Sequence, residues 1–181
     1  PDPQAVSWAL QALNQDVDSW LDYALWQTVR ELQPAWLPLL NAGRLDAAEQ
    51  PRQLLFLLKS AGIAEGVPRL LDLLQQPGAI ADKDLPEVLE TLVQFSTTEH
   101  LDAVNPGSDT ARAAQLLSVL RAVAERRQMK PTGDLNRAAI LLTADSPTLR
   151  EWSLRCLGLW QVAEQRAAME AVLADQSAPE H

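Results

Sequence analysis

Residues 145–173 open with Asp145-Ser146-Pro147-Thr148-Leu149-Arg150, continue through Ser153-Leu154-Arg155-Cys156-Leu157-Gly158, and end in a second apolar-periodic run that closes at Leu173. This stretch decides the fold. A proline at the first helical position carries no N–H to leave unsatisfied and has its φ already set for a helix, so Pro147 marks a start. Leucines at helical spacing follow, then a break, then a second helix. A single helix pair cannot bury its apolar faces alone, so the stretch reads as one unit of a stack. Such a stack predicts a surface for another molecule before it predicts a reaction.

Outward from that unit the same pattern recurs more loosely. Helices are expected over residues 3–14, 18–32, 35–40, 53–61, 64–74, 85–95, 99–104, 109–128, 134–142, 147–160 and 164–173. Asp18 and Asp84 suit helix caps, while Gly43 and Gly62 suit left-handed helix ends. Pro77-Gly78, Pro106-Gly107 and Lys130-Pro131-Thr132-Gly133 break the runs. Pairing gives units over residues 19–42, 50–75, 84–104, 109–143 and 146–174. The expected fold class is therefore all-α, a right-handed alpha-alpha superhelix (α-solenoid) of about five antiparallel helix pairs. One domain is expected over residues 1–175, with residues 1–15 the orphan second helix of a truncated repeat and residues 176–181 a frayed tail. The chain reads as a fragment of a larger protein, and its N-terminal helix as an edge open to weak self-association.

Composition agrees. Of 181 residues 47% are hydrophobic, enough for a continuous core, and 12 prolines against 7 glycines suit short helices with punctuated turns. Fifteen basic against 24 acidic residues give a net charge of −9, which repels a nucleic-acid backbone, so no nucleic acid is expected as partner. No apolar run reaches the roughly 18–20 residues needed to span a bilayer, so no membrane insertion is expected. Cys156 is the single cysteine. It excludes an internal disulfide and a thiolate metal cage.

The residues of the opening unit carry a resemblance. Asp145, Pro147, Leu149 and Arg150, then Leu154, Leu157 and Gly158, then Met169, Val172 and Leu173, resemble a HEAT repeat, in which an acid and proline start the first helix and an arginine follows the core aliphatic. Residues 54–74, with Gly62 between helices and Leu70-Leu71 and Leu73-Leu74 in the second, are similar; the units near Leu85 and Asp109 keep only the periodicity. More narrowly, Trp20-Leu21-Asp22-Tyr23-Ala24-Leu25-Trp26 through Arg30-Glu31-Leu32-Gln33-Pro34-Ala35-Trp36 resembles a segment of bacterial exported membrane-bound dehydrogenase-like proteins, where a propeller precedes HEAT repeats and a c-type haem domain. That resemblance implies an extracytoplasmic (periplasmic) parent with electron-transfer neighbours. The haem-attachment motif Cys-x-x-Cys-His is absent from this sequence.

Among candidate sites, Trp20, Tyr23, Trp26 and Trp36 are the residue types that anchor partners, yet a helix apolar on most sides is expected to lie sandwiched, with these rings packed between layers. Trp152 and Trp160 read as packing. Asp22 and Arg30 mark either a polar spot on an inner groove, or a cap on a neighbouring turn and a pair with Glu31 or with a carboxylate on the next unit. His100 reads as a capping or solvated residue, Cys156 as a small buried hydrophobe, and the carboxylates Asp16, Asp18, Asp82 and Asp84 as turn and cap residues. Arg121, Arg126, Arg127 and Lys130 are the basic concentration, suited to a helix C-terminus or an acidic partner.

The expected function is a non-enzymatic scaffold or protein–protein interaction module without catalytic residues, cofactor or metal. Its partner would be a protein or neighbouring domains of the same chain, met through Arg69, Asp72, Gln76 and Arg137 on inner helices and through Trp20 and Tyr23. Alternatives are an enzyme on a HEAT-like scaffold, resembling DNA glycosylases or bilin lyases, and a passive inter-domain spacer in a redox protein.

Overall fold

The computed structural model describes residues 2–76, 78–104 and 110–176, and among them every regular element is helical, with no strand. The breaks expected at Pro77 and Pro106-Gly107, the helix start at Asp109 and the tail from residue 177 lie outside the described residues. The chain divides into two compact units, Pro1–Phe95 and Ser96–His181.

The first unit contains α1 (Ala5–Leu10), which continues as a 3₁₀ turn over Gln11–Asn14, then α2 (Ser19–Glu31), α3 (Gln33–Asn41), α4 (Pro51–Ala61), α5 (Val67–Gln75) and α6 (Leu85–Phe95). The start of α2 is set by Asp18, whose carboxylate accepts the Leu21 N–H at 2.8 Å. Leu32 joins α2 to α3, and Pro34 sits in the first turn of α3. Trp36 is fully buried, and its indole N–H donates to the Val29 carbonyl at 2.8 Å. One side chain thus locks the α2–α3 corner by burial and by a satisfied polar atom. Gly43 and Gly62 follow α3 and α4 at φ +64° and +66°, the left-handed region that a side chain disfavours. Leu54, Leu57 and Leu58 of α4 are fully buried. They form the centre against which α2, α5 and α6 pack.

α2 is not sandwiched. It packs on α1, α3 and α4, and its two buried residues, Leu25 and Val29, lie one turn apart on a single stripe. Trp20 is 83% exposed and Tyr23 60%. The expectation failed because a helix that is apolar all round is buried only if the fold supplies neighbours on every side, and here the core reaches one side only.

The second unit contains α7 (Thr98–Ala103), α8 (Thr110–Arg127), α9 (Pro147–Leu159) and α10 (Arg166–Gln176), with 3₁₀ segments at Leu135–Thr143 and Ala163–Gln165. The start of α7 is a reciprocal cap. The Thr97 hydroxyl accepts the His100 N–H at 3.4 Å, and His100 Nδ1 accepts the Thr97 N–H at 3.2 Å. Leu116, Leu117, Leu120 and Val123 of α8 pack with Leu149, Cys156 and Leu157 of α9 to form this unit's core. In place of the α-helix expected over residues 134–142, Leu135–Thr143 form a nine-residue 3₁₀ segment, with Asp134 as its N-cap. Tertiary bonds hold it there: the buried Ser153 hydroxyl on α9 donates to the Ala138 carbonyl at 2.5 Å, and Arg137 is drawn to the end of α7. Of the apolar residues of α10, Met169 and Val172 are half-buried and Leu173 is 52% exposed. No helix among the described residues is long and apolar enough to cross a membrane.

An aromatic stripe beside a charged cleft

Positions 20, 23, 26 and 30 are spaced three, three and four residues apart, so their side chains follow one face of α2, away from Leu25 and Val29. Tyr23 and Trp26 stack with ring centres 5.9 Å apart and planes 19° from parallel. The Arg30 guanidinium lies 4.7 Å from the centre of the Trp26 ring. The cation, indole and phenol therefore form a ladder whose rotamers hold one another, and Trp20 stands one further turn toward the N-terminus. The pairing of Arg30 with Glu31 does not occur. Glu31 instead accepts Gln27 Nε2 at 2.8 Å, and the ring face, worth about 0.5–1 kcal/mol to an exposed cation, holds Arg30.

Trp26 also forms part of the wall of an open cleft of about 720 Å³ within the first unit. Leu13, Asp16 and Val17 come from the segment before α2, Asp22 and Trp26 from α2, and Glu87 from α6. The remaining wall is α4, where Arg52, Leu55, Phe56 and Lys59 stand at i, i+3, i+4 and i+7 and so share one face, with Ser60 beside them. Lys59 and Glu87 close on each other at 2.7 Å. The side chains of Asp16, Asp22 and Arg52 are open to a ligand, each without an ion pair among the described residues.

The other residues singled out in the sequence go elsewhere. Arg69 pairs with Glu49, while Asp72 and Gln76 are exposed on and just past α5. In the second unit Arg137 donates to the carbonyl oxygens of Asp102 and Leu101, the latter at 2.5 Å, and so staples the end of α7. Trp160 is buried as expected, and Trp152 is half-buried. Arg121 pairs with Glu125 at 2.7 Å and Arg127 donates to the Ser96 carbonyl at 2.6 Å, so two members of the basic concentration serve the fold. Asp102 accepts the Thr132 hydroxyl and the Gly133 N–H. These two bonds, the hydroxyl first, hold its carboxyl below the usual carboxylate range. Cys156 donates to the Leu117 carbonyl at 3.8 Å, and burial pushes its thiol up to about 12, which leaves it a neutral core group. Among the described residues no three His, Cys, Asp or Glu side chains gather closely enough to hold a metal ion.

Sequence reading did not single out Arg52, Phe56, Lys59 and Glu87. The signal was present in α4, where an otherwise apolar i, i+3, i+4, i+7 face ends in a cation at each side. Compared with protein families, with curated proteins and with solved structures, the chain matches none.

Proposed function

We propose that this chain is a non-enzymatic scaffold of HEAT type that recognises a protein through the outer face of α2. The observation that carries this reading is Trp20, 83% exposed on a helix whose opposite side anchors the core. An isolated exposed tryptophan needs no explanation, but three aromatic rings in line on one helix, two of them stacked, do. Tyrosine and tryptophan give large contact area at small entropic cost, and rings already ordered by stacking lower that cost further. Trp20 is 83% exposed and makes no ring contact among the described residues, and Tyr23 is 60% exposed although it stacks on Trp26, so the core does not account for either. Arg69 and Arg137 are engaged within the fold, which moves the candidate surface from the inner helices to α2. The parent described in the narrower resemblance, an exported dehydrogenase-like protein, would place this surface beside redox domains of the same chain.

The test is affinity capture by the wild-type protein and by the Trp20→Ser/Tyr23→Ser variant. A protein or domain held in fixed stoichiometry by the first and released by the second, at equal thermal stability, supports the proposal. Identical capture by both overturns it.

A further inference from the structure

From the charges around the aromatic ladder we infer that the cleft between α2 and α4 takes a basic, amphipathic segment of a partner protein. This rests on the reading of α2 as a recognition surface and assigns its occupant. The cleft sorts its charges into closed and open ones. Lys59 and Glu87 neutralise each other at 2.7 Å, which leaves Asp16 and Asp22 as carboxylates available to a ligand, with Arg52 as the one lining cation that has no ion pair among the described residues. The open charge is therefore net acidic, on a chain whose total is −9. Leu55 and Phe56 supply the apolar floor and Trp26 the wall that joins the cleft to the outer stripe.

That arrangement fits a segment with aliphatic or aromatic side chains on one face, to lie against Phe56 and Trp26, and lysine or arginine toward Asp16 and Asp22. The ladder already shows the preference in miniature, since one face of Trp26 holds a guanidinium 4.7 Å away. Trp20 and Tyr23 offer further ring faces to a cation from outside. Arg52 adds a requirement. A uniformly basic segment meets a like charge there, so the segment carries a polar or acidic residue at that point. The same charges disfavour the two other occupants of exposed aromatic helices. An anionic lipid surface and a second copy of this chain both bring negative charge against Asp16, Asp18 and Asp22, within the roughly 8 Å over which such charges act at physiological salt.

The test uses a phage-displayed library of random twelve-residue peptides selected on the wild-type protein, with phosphatidylglycerol vesicles as a second probe. The expected result is enrichment of peptides that combine lysine or arginine with leucine, phenylalanine or tryptophan. Binding of the best of them is expected to weaken at least tenfold on Asp16→Lys/Asp22→Lys, to weaken further at higher salt, and to exceed any vesicle binding. Selected peptides without net positive charge, a charge-reversed variant that binds within twofold of wild type, or preferential vesicle binding would each overturn the assignment. Neutral peptides that still lose affinity on Trp20→Ser/Tyr23→Ser would overturn the basic occupant and leave the α2 surface standing. Peptides that bind that aromatic variant as tightly as wild type would remove the α2 surface itself.

Discussion

Arg30 and Trp26 occupy successive turns of α2, and the guanidinium covers the indole at 4.7 Å while Tyr23 stacks on the ring at 5.9 Å. Trp26 is thereby ordered by two neighbours on its own helix and still lines the cleft. The relationship separates the tryptophans of this chain into two kinds. Trp36 holds the core together, and Trp20 and Trp26 stand outside it.

The two kinds predict opposite mutational costs. Trp36→Phe removes the 2.8 Å bond to the Val29 carbonyl and part of a fully buried ring, and is expected to lower stability by about 1–3 kcal/mol. Trp20→Ser, at an exposed position, is expected to stay within about 0.5 kcal/mol of wild type. Urea unfolding followed by far-ultraviolet circular dichroism measures both, and equal losses would mean that α2 is packed on its outer side.

Cys156 predicts an alkaline limb. Burial raises the folded thiol to about 12 from an ordinary value of 9.0, so the folded state holds the proton more tightly than the unfolded state does. This contribution is complete below pH 9 and is lost as pH rises toward about 12. The wild-type protein should therefore lose more stability between pH 8 and pH 10.5 than Cys156→Ala does. The native thiol should also be inert to a disulfide reagent at pH 8 and react on unfolding.

Asp102 predicts the opposite limb. Its carboxyl is held below its ordinary value of 3.8 by the Thr132 hydroxyl and then by the Gly133 N–H, so its contribution is present above that value and lost as pH falls through the lowered one. Asp102→Asn should flatten the acid limb of a stability–pH profile below about pH 4. A profile unchanged by the substitution would show that the turn at residues 131–133 is held by other contacts.

The ends of α8 and α9 use glutamine where glycine is usual. Gln128 and Gln161 have φ of +53° and +58°, left-handed values that cost a side chain about 1 kcal/mol. Gln161, exposed at the end of α9, is the cleaner site. Gln161→Gly is expected to raise stability by about 0.5–1 kcal/mol, because relief of the native strain exceeds the added entropy of the unfolded chain. A fall in the urea midpoint would contradict this.

Local signals read correctly where local physics decides. Asp18 caps α2, Gly43 and Gly62 take left-handed φ, His100 completes a cap and Cys156 is buried, each set by neighbours within a few residues or by a single apolar stripe. The failures came where distant partners decide. Residues 134–142 carry a helical pattern, yet Ser153 and the end of α7 draw the backbone into a 3₁₀ form. The aromatic residues of α2 carry a core composition, yet whether Trp20 is covered depends on how many helices the fold brings to it, which periodicity does not encode. The cleft was hidden for the same reason, since Arg52 and Asp22 are 30 positions apart and meet only through α2–α4 packing.

The most direct test places a photo-crosslinking benzoylphenylalanine at position 23, with the same residue at position 140 as a control, because Ile140 is 75% exposed in the second unit. Irradiation in the cell of origin is predicted to give one discrete protein adduct from position 23 that is absent from position 140 and is lost when Trp20→Ser is added. Adducts that are identical at the two positions, or none at position 23, would contradict the assignment of α2 as the recognition surface.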